Sequence, residues 1–195
     1  MYRRLLIALT LVNLCLVMPA AAKDPIDYLG IPGPIKVGSK EYALSWSSNP
    51  QPGYYKQEYL PSGANPKTYD TMVMVEFFTT DLPLNKVISA QTTMINQRKA
   101  TDPIANMAIF KNGKTGDIVL DFLLSSRDQK REYIIEWNGY RYAEGKFKGK
   151  RGSVLFALSE RAYGNEASKA FLQNLKDFKA SRIRDLTNTA VPEFK

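Results

Sequence analysis

No histidine occurs among the 195 residues, and cysteine occurs once, at Cys15. Without an imidazole there is no Ser-His-Asp or Cys-His machinery, and no histidine general base. Zinc sites built from His and Cys are excluded on the same ground. A site of carboxylates alone can still hold calcium or magnesium, but no D-x-D-x-D-G loop is present, and neither a Walker loop nor a GxGxxG turn appears. No metal and no cofactor is therefore expected. The chain also lacks an apolar run of the roughly 20 residues that a membrane-spanning helix needs. Its most apolar stretch, Leu5 to Val17, is shorter and is interrupted by Thr10, Asn13 and Cys15.

That stretch fits a secretory signal over residues 1–22. Arg3 and Arg4 give a positive start, Leu5–Val17 the apolar middle, and Pro19 a helix break before the small residues Ala20-Ala21-Ala22. Cys15 follows Leu14 rather than the small residue of a lipoprotein signal, and Arg3-Arg4 suggests a twin-arginine signal but in a very short n-region, so ordinary Sec export is the expectation. The mature chain would begin at Lys23, lie in the periplasm or be secreted, and carry no transmembrane segment. It would hold no cysteine, and an oxidising compartment permits disulfides without requiring them.

The formal charge is +8, of which Arg3 and Arg4 leave with the signal. A positive excess favours anionic surfaces, lipid phosphates or an acidic partner. Acidic residues are interspersed almost everywhere, so the excess also reads as simple solubilisation. Nucleic acid is not an expected partner outside the cytoplasm.

Residues 23–40 contain Pro25, Pro32, Pro34, Gly30, Gly33 and Gly38, which suit an extended arm rather than a helix or central strand. Strands are predicted at 41–47, 54–60 and 71–79. In the second, Tyr55, Gln57 and Tyr59 oppose Tyr54, Lys56 and Glu58. The third is apolar on both faces apart from Glu76, the mark of a central strand. A helix is predicted from Asp81, as cap, through Leu84, Val87, Ile88, Met94 and Ile95, to a stop at Thr101-Asp102-Pro103. Strands at 105–111 and 117–125 flank an Asn112-Gly113 hairpin signal. The next strand starts at Arg131 and either turns at Asn138-Gly139 or runs on through Tyr142 to Gly145–Gly152; the richer turn composition favours the long form. A strand at 153–159 follows, then a helix capped by Asn165 with Phe171, Leu175, Phe178 and Ile183 on its apolar stripe. Residues 188–195 read as a tail. The whole predicts one α+β domain over 41–187: a mainly antiparallel sheet of about seven strands packed with two amphipathic helices.

This order and these sizes resemble the PsbP-like fold over about residues 41–187. The segments QEYLP at 57–61 and SERAYG at 159–164 resemble an uncharacterised family of bacterial exported proteins. PsbP-like proteins are mostly accessory and docking proteins, so the resemblance implies binding rather than catalysis.

Four groups of residues are candidates for function. Glu76 and Asp121 are acids in otherwise apolar strands; buried, either can be a general acid or base, and together they can act as a glycosidase-like pair. Paired to a Lys or Arg, each is structural instead. Tyr55 and Tyr59, with Glu58, Tyr54, Trp46, Trp137, Tyr140 and Tyr142, supply aromatic edges for sugar rings or peptides, or simply a half-buried sheet face. Lys146, Lys148, Lys150 and Arg151 form the densest basic run, with Phe147 expected at a hairpin tip facing lipid or an acidic partner, or a solvated turn. Arg161 and Tyr163 precede the last helix, where an arginine binds a carboxylate or phosphate, or forms a structural salt bridge with Glu160, Glu166 or another nearby acid. Met72, Met74 and Met94 read as core filler.

The leading expectation is a non-enzymatic exported protein that binds a partner protein or an envelope ligand. The alternatives are a carboxylate-dependent hydrolase or transferase of an envelope polymer, with Glu76 and Asp121 converging, and a binder of anionic membrane surfaces.

Overall fold

The computed structural model describes residues 24–195, so the expected signal lies outside the described residues. Eight strands run in chain order: β1 (Ile35–Val37), β2 (Lys40–Gln51), β3 (Tyr54–Leu60), β4 (Thr71–Thr79), β5 (Asn106–Lys111), β6 (Ile118–Arg127), β7 (Tyr133–Phe147) and β8 (Lys150–Tyr163). They form one antiparallel sheet in the order β1-β2-β3-β4-β8-β7-β6-β5, curled into a half-barrel. Two short helices, α1 (Leu84–Val87) and α2 (Ser89–Arg98), cover one face; a long helix, α3 (Asn165–Asn188), crosses the other.

The sheet has one strand more than the sequence predicts. The extra strand, β1, lies in the Pro- and Gly-rich arm and pairs Ile35 with Tyr42 and Val37 with Lys40. The arm is tied down by a buried polar knot. Gln57 accepts from the Leu29 amide at 2.8 Å and donates to the Tyr59 hydroxyl at 2.6 Å, while that hydroxyl donates to the Ile31 carbonyl at 2.8 Å. The QEYLP segment is thus the clamp that holds residues 27–31 to β3. The far end of the chain joins the same region. The Lys195 amide donates to the Leu29 carbonyl at 3.1 Å, and the Phe194 ring meets Phe77 and Phe147 edge-on at 5.4 and 5.5 Å.

Alternation along β4 explains why both of its faces are apolar. Val73, Val75 and Phe77 enter the core beneath α3, with Trp137, Phe156, Leu158 and Leu186. Met72 and Met74 enter a second core beneath α1 and α2, with Leu84, Ile88, Ile95, Leu120 and Phe122. Met94, by contrast, is exposed. A strand with a helical layer on each side must be apolar on both faces, whereas strands with one open face alternate.

Helix boundaries differ from the prediction for local reasons. Asp81 makes no cap; α1 begins after Pro83, and the helix is divided from α2 at Ile88. Asp102 is more than a stop signal. Its carboxylate accepts from the Ser125 amide and hydroxyl, each at 2.6 Å, and from the Ile104 amide at 3.0 Å, locking the end of α2 to β6. Asn165 also makes no cap. Gly164, at φ 85°, takes the cap position, and the Asn165 side chain instead accepts from the Tyr133 amide at 3.1 Å. At the other end of α3, the Arg141 guanidinium bonds Asp117 at 2.7 Å and reaches the carbonyls of Leu186, Thr187 and Thr189, satisfying the helix's last acceptors.

The long form of β7 is the observed one. It passes straight through Asn138-Gly139 and turns at Lys148-Gly149, where both residues have positive φ, 49° and 78°. Such a pair matches the right-handed twist of the flanking strands.

Candidate functional site

Four strands build a cleft on the face that carries α1 and α2. In register, Lys56 of β3, Glu76 of β4, Leu155 of β8 and Tyr142 of β7 form one row across the sheet. Tyr54, Phe78 and Ser153 form the adjacent row. Tyr140 flanks Tyr142 on the same face, two residues back along β7. Val87, Ala90 and Gln91 line one side and Gln51 the other, and the cleft, half open to solvent, has a volume of about 450 Å³. That lies within the range of small-molecule sites.

Glu76 sits at the centre of this cleft. The Tyr54 hydroxyl donates to its Oε2 at 2.8 Å, and Lys56 Nζ stands 3.7 Å from Oε1. Lys56 is itself shared, with Glu58 at 3.2 Å. Burial pushes the Glu76 carboxyl above its ordinary range, and the Tyr54 hydrogen bond and Lys56 only partly offset this. Burial also raises Tyr54, Tyr140 and Tyr142, so all three phenols stay protonated at neutral pH. Among the described residues, the Tyr140 and Tyr142 hydroxyls have no hydrogen-bond partner, nor is either oxygen sealed from the cleft. The walls are aromatic: Tyr54 meets Phe78 edge-on at 6.0 Å, and Tyr140 lies 6.3 Å from Tyr142.

Asp121 is elsewhere. It accepts from Trp137 Nε1 at 2.7 Å and pairs with Lys179 of α3 at 2.9 Å, on the face beneath that helix. Glu76 faces α1 and α2, Asp121 faces α3, and the sheet separates them. The two carboxyls do not converge, and each has the lysine partner of the structural alternative.

The other candidates scatter. Tyr59 is fully buried in the arm clamp and reaches no surface. Tyr55 lies on the α3 face against Tyr28 and Phe147. Lys146, Lys148, Lys150 and Arg151 are exposed around the β7–β8 turn, but Phe147 points inward, 5% exposed, against Tyr55, Phe77 and Phe194. The strand's alternation sends Lys146 outward and Phe147 to the core, and the Lys148 ammonium of the turn lies over the Phe147 and Tyr55 rings at 4.9 and 5.3 Å, so the turn offers charge without an apolar wedge. Arg161 forms a structural salt bridge with Glu136 of β7, rather than with Glu160 or Glu166, and stacks over the Tyr69 ring at 4.3 Å, while the Tyr163 hydroxyl donates to the Tyr69 carbonyl at 3.1 Å. Ser159, the first residue of SERAYG, donates to Asn138 at 2.5 Å. This segment is a cross-sheet polar network, fully partnered within the protein.

Sequence reasoning places Tyr54, Tyr140 and Tyr142 among the aromatic edges without separating them from Tyr55 and Trp137. Parity within β3 and β7 carries that separation. The contributions of Gln51 and Gln91 have no sequence signal, because the pairing of β3 with β4 and the seat of α2 bring them in.

Among the described residues no helix is long and apolar enough to cross a membrane, and no cluster of acids could hold a metal ion. No curated protein and no solved structure matches the chain. A family model does match it, over residues 29–191, from the arm clamp through the end of α3. The chain therefore belongs to that family, an uncharacterised one.

Proposed function

We propose that the protein is an exported, non-catalytic binding protein that takes a small ligand in the tyrosine-lined cleft around Glu76. One observation carries the reading: two phenol hydroxyls, Tyr140 and Tyr142, face a cleft of about 450 Å³ with no partner among the described residues. Fully buried polar side-chain atoms among the described residues all have protein partners; these two hydroxyls differ in standing side by side, open to one aromatic recess, and that pairing favours a ligand. Against two-carboxylate catalysis stands the position of Asp121 across the sheet. The PsbP-like resemblance and the signal-like start of the sequence lean the same way, toward an accessory role outside the cytoplasm.

Native mass spectrometry of the protein recovered from the compartment to which the cell exports it tests this reading. The expected spectrum shows the mature chain plus a discrete small-molecule mass, which Tyr142→Phe diminishes. Turnover of a compound by the purified protein would overturn the non-catalytic part. A bare mass together with a stable second protein would move the role from ligand carriage to docking.

A further inference from the structure

The chemistry of the cleft narrows what it can hold, and the narrowing rests on the reading just given. Charge comes first. The ammonium of Lys56 is divided between Glu58 at 3.2 Å and Glu76 at 3.7 Å. No cation is left over for an anionic ligand, which would also meet two carboxylates. A cationic ligand meets Lys56, and the carboxylate it would seek is already engaged by Lys56 and the Tyr54 hydroxyl.

Uncharged groups remain in number. The Tyr140 and Tyr142 hydroxyls each donate one hydrogen bond and accept others, and Gln51 and Gln91 bring amides to the rim. A purely apolar ligand would bury these phenols without partners, at a cost comparable to a lost hydrogen bond for each. The flat surfaces are aromatic. Phe78 is 39% exposed and stands edge-on to Tyr54. Trp46, 44% exposed, lies just beyond the cleft on the same face, with the Lys56 ammonium 5.8 Å from its ring centroid. Lys56 thus bridges the cleft centre and an open indole platform.

A ligand that suits these groups is neutral, carries many hydroxyls on its edges, has an apolar C–H face to lie on an aromatic ring, and is long enough to pass Lys56. We infer that the cleft binds a neutral oligosaccharide, with one sugar seated among Tyr54, Tyr140 and Tyr142 and the next laid against Trp46. The rings are the apolar platforms and the two free phenols are the hydroxyl readers.

Isothermal titration of the full mature chain tests this. The neutral probes are the trisaccharides of β-1,4-linked glucose, of β-1,4-linked N-acetylglucosamine and of α-1,4-linked glucose, with the matching monosaccharides. Trigalacturonic acid, spermidine and 1-octanol serve as acidic, cationic and apolar comparisons. The expected result is that at least one neutral trisaccharide binds, more tightly than its monosaccharide. Tyr142→Phe and Tyr140→Phe should each weaken it by about tenfold, since each removes one hydroxyl and keeps the ring. Trp46→Ala should bring trisaccharide affinity down toward that of the monosaccharide, and its exposure lets the chain fold as before.

Binding of a charged or apolar probe, weakened by the two Phe variants, would keep the cleft as a ligand site and remove the saccharide. Saccharide binding indifferent to all three variants would place it away from the cleft and overturn the inference. Silence of every probe would overturn the saccharide class, and an empty native mass spectrum alongside it would overturn the cleft reading too.

Discussion

The indole N–H of Trp137 donates to Asp121 at 2.7 Å, beneath α3 and on the opposite side of the sheet from Glu76. Trp137 is fully buried, so Asp121 is the acceptor that makes its burial tolerable. Asp121→Ala leaves that N–H unpaired and should cost about 1–3 kcal/mol. Asp121→Asn keeps an acceptor oxygen and should cost less. Urea midpoints of the two variants make the comparison. Equal losses would show that the Lys179 ion pair, not the indole, is what matters at this position.

Glu76 gives the stability a pH dependence of unusual sign. Its folded carboxyl is raised by burial, so between the ordinary carboxylate range and its own higher value the folded state holds more protons than the unfolded one. Stability from this group is present at low pH and is lost as pH rises through that window. Asp102 acts in the opposite direction. Burial alone would raise it, but the Ser125 and Ile104 hydrogen bonds and Arg98 hold it below the ordinary range, so its contribution is lost as pH falls. Glu76→Gln should therefore flatten the decline in urea midpoint above the ordinary carboxylate pKa and leave the acid limb unchanged. An unchanged decline in Glu76→Gln would contradict the assignment.

Phe147 sets the character of the β7–β8 turn. With 5% exposure and three aromatic neighbours at 5.3 to 5.6 Å, it is core, so Phe147→Ala should cost about 3–5 kcal/mol in thermal or urea unfolding. A tip-mounted phenylalanine would lose far less. Lys150→Ala, directly opposite Phe147 across the turn and exposed, should stay within about 0.5 kcal/mol of the parent.

Gly152 is the tightest point where β8 passes β4. A Cβ there would stand 2.4 Å from the Phe78 carbonyl oxygen and 2.6 Å from Phe77 Cζ. Because one of those atoms is backbone, the strain has no flexible outlet. Gly152→Ala should lose about 1–3 kcal/mol, read from the urea midpoint, whereas Gly113→Ala, with open space around it, should not.

Much of the sheet is legible in the residues. Alternation in β3 and β4, the Asn112-Gly113 turn and the apolar stripe of α3 are local signals, and local pairing honours them. The choice between two forms of β7 is legible only through turn composition. Asn138-Gly139 mimics a hairpin, yet Gly139 serves to admit Trp137 Cη2 and Leu186 Cδ2, which would stand 3.0 and 3.2 Å from a Cβ. β1 is hidden because three residues among prolines and glycines carry no period. The separation of Glu76 from Asp121 is not legible either. Parity assigns a side chain to a face within its own strand, but which face of β4 continues into which face of β6 depends on the order β4-β8-β7-β6, a property of the assembled sheet. The cleft tyrosines follow the same rule: alternation gives each strand its two sides, and only the pairing makes Tyr54, Tyr140 and Tyr142 neighbours.

The meeting of residue 195 with residue 29, and of Phe194 with Phe77 and Phe147, has a consequence in time rather than in energy. Contacts between such distant points in the chain close only after the intervening loop entropy has been overcome, and folds dominated by them form slowly. The arm, β4 and the β7–β8 turn cannot seal their shared aromatic cluster until residue 194 has emerged and reached them. A chain that becomes available residue by residue would therefore close this aromatic cluster late, only once residue 194 can reach it.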